Sequence, residues 1–235
     1  MSAYKRVLLK LSGEALSGGR GQGFDTDVVE KIASVIAQLA KEGIQTAVVC
    51  GAGNFWRGRD AAHMVRTTAD YMGMLGTMMN CLMLSDAIER AGVETSVMSA
   101  FDIARVADPF SRKQAIRTLE QGGVVLFACG TGEPYFSTDT TCALRALQID
   151  ADVILVAKNG VEGVLTGDPR DGGDYELIRA ATYDELLAKG LKVMDATAFE
   201  MCRENGMNMQ IFGMDDLENI VRAAHGEDIG TRVTC

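Results

Sequence analysis

Histidine, basic residues and long apolar runs are all scarce in this 235-residue sequence. Neither of its two histidines, His63 and His225, has a sequence context that suggests Ser-His-Asp or Cys-His catalysis, so we expect both to be structural or exposed. The 23 lysine and arginine residues are outnumbered by 32 aspartate and glutamate residues, which gives a formal net charge of -9. Because nucleic-acid binding depends on a basic face, this charge argues against a dedicated nucleic-acid-binding protein.

Membrane segments and metal–thiolate sites are also disfavoured. No apolar run is long enough to cross a bilayer, and the chain does not open with a basic and then apolar leader, so we expect a soluble, cytoplasmic protein. The six cysteines never form C-x-x-C, and most of them lie inside apolar segments. This pattern favours buried, reduced thiols, and we predict neither a disulfide framework nor a protein-bound metal.

What the sequence does contain is a regular alternation of strand and helix patterns. Its length suffices for one substantial core, so we predict a single domain over residues 1–235. Apolar, β-branched-rich runs predict buried strands at Arg6–Leu11, Gln45–Val49, Glu94–Met98, Val124–Ala128, Val153–Ala157 and Met209–Phe212. Helical spacing predicts helices at Thr26–Glu42, Thr68–Ala91, Ser111–Gln121, Thr138–Gln148, Thr182–Ala188, Asp195–Asn205 and Asp216–Ala224.

This alternation predicts an α/β fold, a three-layer α/β/α sandwich with a mainly parallel central sheet. In an open parallel sheet, ligands bind outside the carboxyl ends of the strands, so the loops that follow the strands are the candidate site. The longest predicted unstructured stretch runs from Lys158 to about Ala181, and long loops in compact domains are usually functional.

The loop after the second predicted strand, CGAGNFWRG at positions 50–58, contains three glycines and Arg57. A glycine-rich turn lets backbone N–H groups approach a phosphate closely, and an arginine can add two parallel charge-assisted hydrogen bonds. On its own, the stretch is explained equally well by a tight turn with a surface arginine.

Three other loops share this phosphate-handling character. KLSGEAL places Lys10 at a strand end, GTGEPYFSTDTT leads into a helix N-terminus that suits an anion, and KNGVEGVLTGDPR begins with Lys158. The cations Lys10, Arg57 and Lys158 could neutralise charge on a transferring phosphoryl group. The chain has no G-K-[ST], H-R-D or D-F-G of the usual kinases, and the glycine-rich loop is not the G-x-G-x-x-G of dinucleotide-binding dehydrogenases.

Six motifs in order resemble those of the bacterial uridylate (UMP) kinases, which belong to the amino acid kinase superfamily. They are KLSGEAL, GAGNFWRG, DYMGMLGTMMN, GTGEPYFSTDT, VEGVLTGDP and LKVMD, and the resemblance extends from Tyr4 nearly to the C-terminus. It implies an amino acid kinase-like fold and in-line transfer of the ATP γ-phosphoryl group to UMP, giving UDP and ADP. Mg²⁺ is expected to arrive with ATP, and no general base is required because the UMP phosphate is already ionised.

The resemblance also implies roles for individual residues. Catalysis is assigned to Lys10, Arg57 and Asp139, with Asp139 orienting Lys10. Asp70 would hold the UMP ribose, Asp195 would lie near the phosphates without a defined role, and Ala52 and Leu165 depart from the glycine and the aromatic residue common in the family. The implied ATP-binding residues are Lys10, Leu11, Ser12, Gly13, Gly53, Arg57, Asn159, Leu165 and Asp168. The implied UMP-binding residues are Ala52, Asp70, Thr131, Gly132, Glu133, Pro134, Tyr135, Phe136, Ser137 and Thr138.

Assembly and regulation are further implications of the resemblance, namely a homohexamer that GTP activates and UTP inhibits. The predicted helix Thr68–Ala91 carries more apolar residues than one core-facing stripe requires, so we expect it to be buried on two sides, the second by a partner subunit. The family's GTP-responsive segment corresponds to GGRGQG, which a flexible glycine-rich turn explains equally well; its residues are Gly18, Gly19, Arg20, Gly21, Gln22 and Gly23.

Two alternatives stay open at this point. One is a different amino acid kinase that acts on a carboxylate or a carbamate, which would share the sheet and Lys10 but lack Asp70 and the loop TGEPYFST. The other is a non-catalytic uridine nucleotide sensor of the same fold, which would bind UMP or UTP without turnover.

Overall fold

The computed structural model describes residues 4–56, 64–167 and 175–235. Within these residues, strands and helices alternate along the chain. The strands are β1 Arg6–Leu11, β2 Gln45–Cys50, β3 Thr95–Ser99, β4 Asp108–Pro109, β5 Val124–Ala128, β6 Val153–Lys158, β7 Val164–Leu165, β8 Leu177–Ile178, β9 Ala180–Thr182, β10 Asn208–Gly213 and β11 Thr231–Thr234. The helices are α1 Gly13–Leu16, α2 Thr26–Lys41, α3 Arg66–Arg90, α4 Arg112–Glu120, α5 Thr138–Gln148, α6 Tyr183–Ala188, α7 Ala196–Glu204 and α8 Glu218–Ala224.

One nine-stranded sheet forms the centre of the molecule, in the order β4-β3-β5-β2-β1-β6-β10-β11-β9. Strand β1 pairs in parallel with β2 on one side and with β6 on the other, so that Leu9 lies opposite Val48 and Leu155. Strand β11 runs antiparallel to β10 and pairs in parallel with β9. The sheet is therefore mainly parallel, as the alternation of strands and helices predicts.

Helices cover both faces of this sheet. Successive residues of a strand point to opposite faces, and in β1 both sets are apolar. Leu9 belongs to a buried apolar cluster with residues of α2, α3 and α8 on one face, while Leu8 belongs to a second cluster with residues of α4, α5, α6 and α7 on the other. Burial on both faces is what a parallel sheet requires, and it confirms the predicted three-layer α/β/α sandwich.

The six predicted strands and seven predicted helices are all present, with ends that differ by at most two residues. The prediction of an unstructured stretch from Lys158 to about Ala181 was wrong for the part that the structure describes, and residues 168–174 lie outside that part. Strand β7 pairs with β8 there, and β9 joins the edge of the main sheet. Strands of two or three residues are too short to show the alternation that predicts a strand, which is why the sequence pattern misses them.

Side chains cap several of the helices at their amino-terminal ends. Thr182 and Glu185 form a reciprocal capping box at the start of α6, with hydrogen bonds of 3.1 and 2.8 Å. All six cysteines are free in the structure, and five are buried, as the apolar segments around most of them predict. In the three described ranges, no helix is both long enough and apolar enough to cross a membrane.

Candidate active site

A cavity of about 350 Å³ lies where the carboxyl ends of β1, β2 and β5 meet α3 and the start of α5. Parallel strands place their carboxyl ends at the same edge of a sheet, so loops that are distant in sequence meet here. Eleven of the predicted site residues line this cavity: Lys10, Leu11, Ser12, Gly13, Ala52, Gly53, Asp70, Thr131, Phe136, Ser137 and Thr138.

A second cavity of about 700 Å³ begins at the carboxyl end of β6. Its wall includes Lys158, Leu165 of β7, and residues 190–193 between α6 and α7. Asn159 is exposed and does not belong to this wall. The predicted site residues Arg57 and Asp168 lie outside the described residues.

Four residues of the predicted UMP loop stand apart from the first cavity wall. These are Gly132, Glu133, Pro134 and Tyr135. Gly132 has a φ of 87° and lies so close to Ala100 that a Cβ there would come within 3.2 Å of the Ala100 carbonyl oxygen. The loop therefore packs on the segment after β3 at this point, while Thr131 and Phe136 on either side reach the cavity.

An ion pair occupies the end of the cavity next to β1. Lys10 Nζ lies 2.5 Å from Asp139 Oδ1, and only about a fifth of each side chain is exposed, 20% and 23% respectively. Burial works to lower the pKa of Lys10, but the negative charges of Asp139 and Asp195 outweigh it and raise the pKa above its usual value. Lys10 is therefore a cation at neutral pH, held at the strand end by α5.

Lys158 supplies a second cation at the next strand end. Its Nζ donates to the carbonyl oxygen of Val193 at 3.3 Å. Burial and the nearby charge of Lys10 lower the pKa of Lys158. Since β1 and β6 are neighbouring parallel strands, the side chains of Lys10 and Lys158 lie at the same edge of the sheet, one in the wall of each cavity.

Asp195 connects the amino-terminal ends of α5 and α7. It is the N-cap of α7, where its Oδ1 accepts from the backbone N–H of Ala198 at 3.0 Å. The same carboxylate accepts from the hydroxyls of Ser137 and Thr140, and the Asp195 N–H donates to Asp139 Oδ2 at 3.3 Å. The sequence did not indicate this role, and the bonds identify Asp195 as a residue that holds the ends of α5 and α7 together.

Ser137 in turn caps α5. Its Oγ accepts from the backbone N–H groups of Asp139 at 2.9 Å and Thr140 at 3.3 Å, and donates to Asp195. Although burial raises the pKa of Asp195, the hydrogen bonds from Ser137, Ala198 and Thr140 lower it more, so the carboxylate stays ionised. The cap and its anchor fix the positive end of α5 at the cavity wall.

Asp70 of α3 faces the opposite part of the same cavity. Its carboxylate pairs with Arg66, one turn earlier, at 2.8 and 2.9 Å, and accepts from the backbone N–H of Tyr135 at 2.8 Å. Tyr135 has a φ of 72°, which is unusual for a non-glycine residue, and the Arg66 guanidinium lies 5.3 Å from the centre of its ring. These contacts join the start of α3 to the predicted UMP loop.

The turn after β2 approaches the start of α1 very closely. A Cβ on Gly13 would come within 2.6 Å of Asn54 Oδ1 and 2.8 Å of the Gly53 nitrogen, so only glycine fits there. Ala52, the first departure from the family pattern, does not have the positive φ that strains a side chain. Its methyl group is therefore accommodated in the turn.

Two buried asparagines hold the same turn against α3. Asn54 and Asn80 are fully buried and exchange reciprocal amide hydrogen bonds of 2.9 Å. Asn80 also donates to the Gly51 carbonyl oxygen at 2.6 Å, and Asn54 donates to that of Gly23 at 2.9 Å. Each amide therefore satisfies its buried polar atoms while fixing a loop backbone, so that the turn keeps one conformation.

Residues 5–213 match the amino acid kinase family model. The protein belongs to the amino acid kinase family. Among its relatives, uridylate kinase from Streptococcus thermophilus strain LMD-9 is 50% identical over 233 residues, which is 98% of this chain and 95% of the relative. Uridylate kinase from Nocardioides sp. strain JS614 is 51% identical over 236 residues, with 100% and 99% of the two chains covered.

Solved structures of two further relatives share the architecture of this amino acid kinase. The crystal structure of UMP kinase from Bacillus anthracis superposes with a TM-score of 0.94 at 35% identity, covering 98% of this chain and 96% of the other. That of UMP kinase from Ureaplasma parvum gives a TM-score of 0.93 at 34% identity, covering 98% and 99%. The amino acid kinase-like fold expected from the sequence is therefore confirmed.

For an amino acid kinase, the arrangement has the parts that phosphoryl transfer needs. Lys10 and Lys158 can neutralise charge, and the amino-terminal end of α5 and the glycine-rich turn can donate backbone hydrogen bonds to phosphate oxygens. Positioning and charge stabilisation account for most catalysis of phosphoryl transfer, since the protein itself contributes little covalent chemistry. The two cavities offer separate space for a donor and an acceptor, with Lys10 in the wall of the first and Lys158 in the wall of the second.

Several residues of the site escaped the sequence analysis. Trp56 lines the first cavity, and Gly73, Thr77 and Asn80 lie on one side of α3 toward the turn after β2. A signal was present, because residues 73, 77 and 80 recur at helical spacing and are small or polar inside an otherwise apolar helix. Such a stripe indicates a helix face that meets backbone or ligand instead of the apolar core.

Proposed function

We propose that this amino acid kinase is a UMP kinase, which transfers the γ-phosphoryl group of ATP to UMP and releases UDP and ADP. One structural observation carries the proposal: a single cavity has the Lys10–Asp139 ion pair at one end and Asp70, with the predicted UMP loop, at the other. The full-length relatives named uridylate kinase support the same acceptor.

UMP is assigned to the first cavity. Asp70 would accept hydrogen bonds from the ribose hydroxyls, because a carboxylate has about four acceptor positions and its contacts with Arg66 and Tyr135 leave room for others. The loop from Thr131 to Thr138 would surround the base. Uracil and cytosine exchange donor and acceptor positions on their pairing edges, so fixed backbone groups can distinguish them.

ATP is assigned to the second cavity, with Leu165 against the adenine. An aliphatic side chain contacts the ring without the stacking that an aromatic residue would provide. The ATP phosphates would then extend from Lys158 toward Lys10, Gly13 and Gly53. Asn159, Asp168 and Arg57 remain proposed contacts on the strength of the motif resemblance alone.

Transfer then depends on alignment and charge. Lys10 would lie between the donor and acceptor phosphates, where its ammonium group neutralises the charge that develops on the transferring group. Asp139 keeps Lys10 charged and directed into the cavity. The acceptor oxygen of UMP is already ionised, so the chain needs no general base.

Mg²⁺ is proposed to enter together with ATP. In the described ranges, His, Cys, Asp and Glu form no group of three or more that could hold a metal ion. The carboxylates of Asp139 and Asp195 near the start of α5 are bonded to Lys10 and Ser137. The residues present therefore fit an ion held mainly by phosphate oxygens, which would supply further charge neutralisation between the phosphates.

We also propose self-association through α3. Five large apolar side chains form an exposed stripe on this helix, which we call the α3 stripe: Tyr71, Met72, Leu75, Met79 and Leu82. Met74, Met78, Cys81 and Leu84 on the other side are buried in the core. An exposed apolar face of this kind marks an interface, and a second copy of the same helix would cover it about a two-fold axis. Hexamer formation remains a prediction from the resemblance.

Responses to GTP and UTP are predictions of the same kind, as is a cytoplasmic location. The segment from Gly18 to Gly23 includes a short 3₁₀ helix at Gly18–Arg20. At its other end, the Gly23 N–H donates to the Asn54 carbonyl oxygen at 2.9 Å. A contact between this segment and the turn after β2 is consistent with an effect of GTP on the site. Rates measured with and without each nucleotide would test it.

A coupled assay of ADP release tests the proposed function. We expect turnover with UMP, much less with CMP, and none with acetylglutamate or carbamate. Turnover on a carboxylate or carbamate would identify a different amino acid kinase. Tight UMP or UTP binding without ADP release would identify a nucleotide sensor.

A further inference from the structure

Helix α3 contains two glycines that face the turn after β2, Gly73 and Gly76. Glycine inside a helix is destabilising relative to alanine, so its presence in the middle of a 25-residue helix calls for a local reason. At Gly76 the reason is steric. A Cβ built on Gly76 would lie 2.9 Å from the Cβ of Ala52, well inside the contact distance of about 3.5–4.0 Å for two carbons.

The Ala52 methyl group cannot turn away from such a contact, because its Cβ is fixed to the backbone. The backbone is itself restrained. The Ala52 carbonyl oxygen accepts from the N–H groups of Phe55 and Trp56 at 2.9 Å each, and the Gly51 carbonyl oxygen accepts from Asn80 at 2.6 Å. A methyl group at position 76 could be accommodated only if the whole turn or the helix moved.

We propose that Gly76 is a positioning residue for the proposed phosphate turn, matched to the alanine at position 52. The inference rests on the proposed function of the first cavity as the UMP site. By receiving the Ala52 methyl group, Gly76 sets how the backbone of Gly51, Ala52 and Gly53 lies relative to the substrate phosphates. The effect on the reaction is large, because a misplacement of about 1 Å in a group that positions a substrate can cost about a hundredfold in rate.

The test is a set of variants assayed with the intact chain. Gly76→Ala is compared with the double variant Ala52→Gly/Gly76→Ala and with Ala52→Gly alone. We expect Gly76→Ala to raise the KM for UMP about tenfold or more, with a smaller change in the KM for ATP. In the double variant, the KM for UMP should lie within about threefold of the value for Ala52→Gly alone, because the conflicting methyl group of Ala52 is gone.

Gly73 provides the matched control on the same helix. A Cβ on Gly73 would lie 3.7 Å from Trp56 Cδ1, which is an ordinary contact. Whatever Gly73→Ala changes at the cavity, Ala52→Gly should recover none of it, because the Ala52 methyl group does not meet position 73. Recovery in both backgrounds would contradict the pairing of positions 52 and 76.

A second measurement does not depend on activity. The chain has one tryptophan, Trp56, whose backbone N–H donates to the Ala52 carbonyl oxygen, so its fluorescence reports on the position of the turn. We expect Gly76→Ala to shift the emission and the double variant to shift it back. If the wild-type enzyme does not phosphorylate UMP, the proposed function fails while this comparison still decides the steric pairing.

The outcomes separate clearly. A normal KM and normal emission in Gly76→Ala would overturn the inference, as would losses that Ala52→Gly fails to recover. If Gly76→Ala does not yield folded protein, recovery of a folded, active double variant supports the inference, and failure of the double variant to fold counts against it.

Discussion

Lys10 is the side chain on which the proposed chemistry most directly depends. We predict that Lys10→Ala lowers kcat by about a hundredfold or more, because it removes the cation that would neutralise charge between the phosphates. UMP binding should change much less, since the proposed UMP contacts at Asp70 lie at the other end of the cavity. Steady-state kinetics together with UMP titration measure both effects.

The matched control for this prediction is Lys31→Ala. Lys31 is an exposed lysine of α2, and its removal changes the net charge by the same amount without touching the cavity. Turnover should stay at the wild-type level in the control. Near-normal turnover in Lys10→Ala, with the fold retained, would contradict the catalytic assignment.

Asp70 tests the acceptor end of the same cavity. We predict that Asp70→Asn weakens UMP binding by about tenfold to a hundredfold, because a neutral amide is a poorer acceptor for two ribose hydroxyls than a carboxylate. ATP binding should be much less affected, since the second cavity does not include Asp70. Separate calorimetric titrations of the two nucleotides measure the difference.

An equal loss for both nucleotides would show that Asp70 serves the structure instead. This outcome has a definite physical origin, because the Asp70 carboxylate accepts from the Tyr135 N–H and so helps to hold the predicted UMP loop. Arg66→Ala is a useful comparison, since it removes the other partner of Asp70 but keeps the carboxylate. It should retain more UMP affinity than Asp70→Asn.

The hydrogen bonds that join the amino-terminal ends of α5 and α7 depend on the charge of Asp195. Burial raises the pKa of Asp195, but its hydrogen bonds lower it below the ordinary value of 3.8. Ionised Asp195 therefore stabilises the folded state at pH values above 3.8. This stabilisation is lost as the pH falls through the lowered pKa of the folded state. We predict that the free energy of unfolding falls less steeply below about pH 4 in Asp195→Asn than in the wild type. Urea unfolding at a series of acidic pH values measures the slopes.

Asparagine is a suitable replacement because it can also cap a helix, so α7 should still form. Asp27→Asn is the control, since Asp27 is an exposed residue in the first turn of α2. Its pH dependence should match that of the wild type. A slope for Asp195→Asn that equals the wild-type slope would mean that the charge of Asp195 does not support the junction of α5 and α7.

For the molecule as a whole, the α3 stripe predicts association. Leu75 and Met79 lie one helical turn apart and are 48% and 44% exposed. We predict that Leu75→Asp/Met79→Asp shifts the mass measured by light scattering toward the 25.2 kDa of one chain, because charges cannot be buried unpaired at an apolar interface. Leu187→Asp, at a similarly exposed leucine on α6, should leave the assembly unchanged.

A wild-type protein that is monomeric at micromolar concentration would contradict this interface. The proposed catalytic role of Lys10 would be unaffected, because Lys10 and Asp139 lie within one chain. Nine of the described strands form one main sheet, and β7 and β8 pair separately from it. A single domain over residues 1–235 stays a prediction.

Local sequence patterns were sufficient to predict most of the secondary structure, the layered fold and the edge of the sheet where the site lies. Apolar runs in β1 and β6 identify buried parallel strands, and residues that directly follow such strands must meet at one edge, which brings Lys10 and Lys158 together. These inferences succeed because side-chain periodicity and strand direction are properties of short segments. The motif resemblance then predicted a ligand-binding role for Asp70, which periodicity alone marks only as the start of a helix, and Asp70 lines the first cavity.

Contacts between distant segments could not be predicted in this way. Asp195 meets Ser137 across 58 positions, and Asn54 meets Asn80 across 26, so no local pattern specifies either pair. The fit of Ala52 against Gly76 depends on a fraction of an ångström, because a Cβ at position 76 would lie only 2.9 Å from the Cβ of Ala52. Such details follow from how helices and loops pack against the completed sheet, because close packing converts small differences in side-chain size into the position of the backbone.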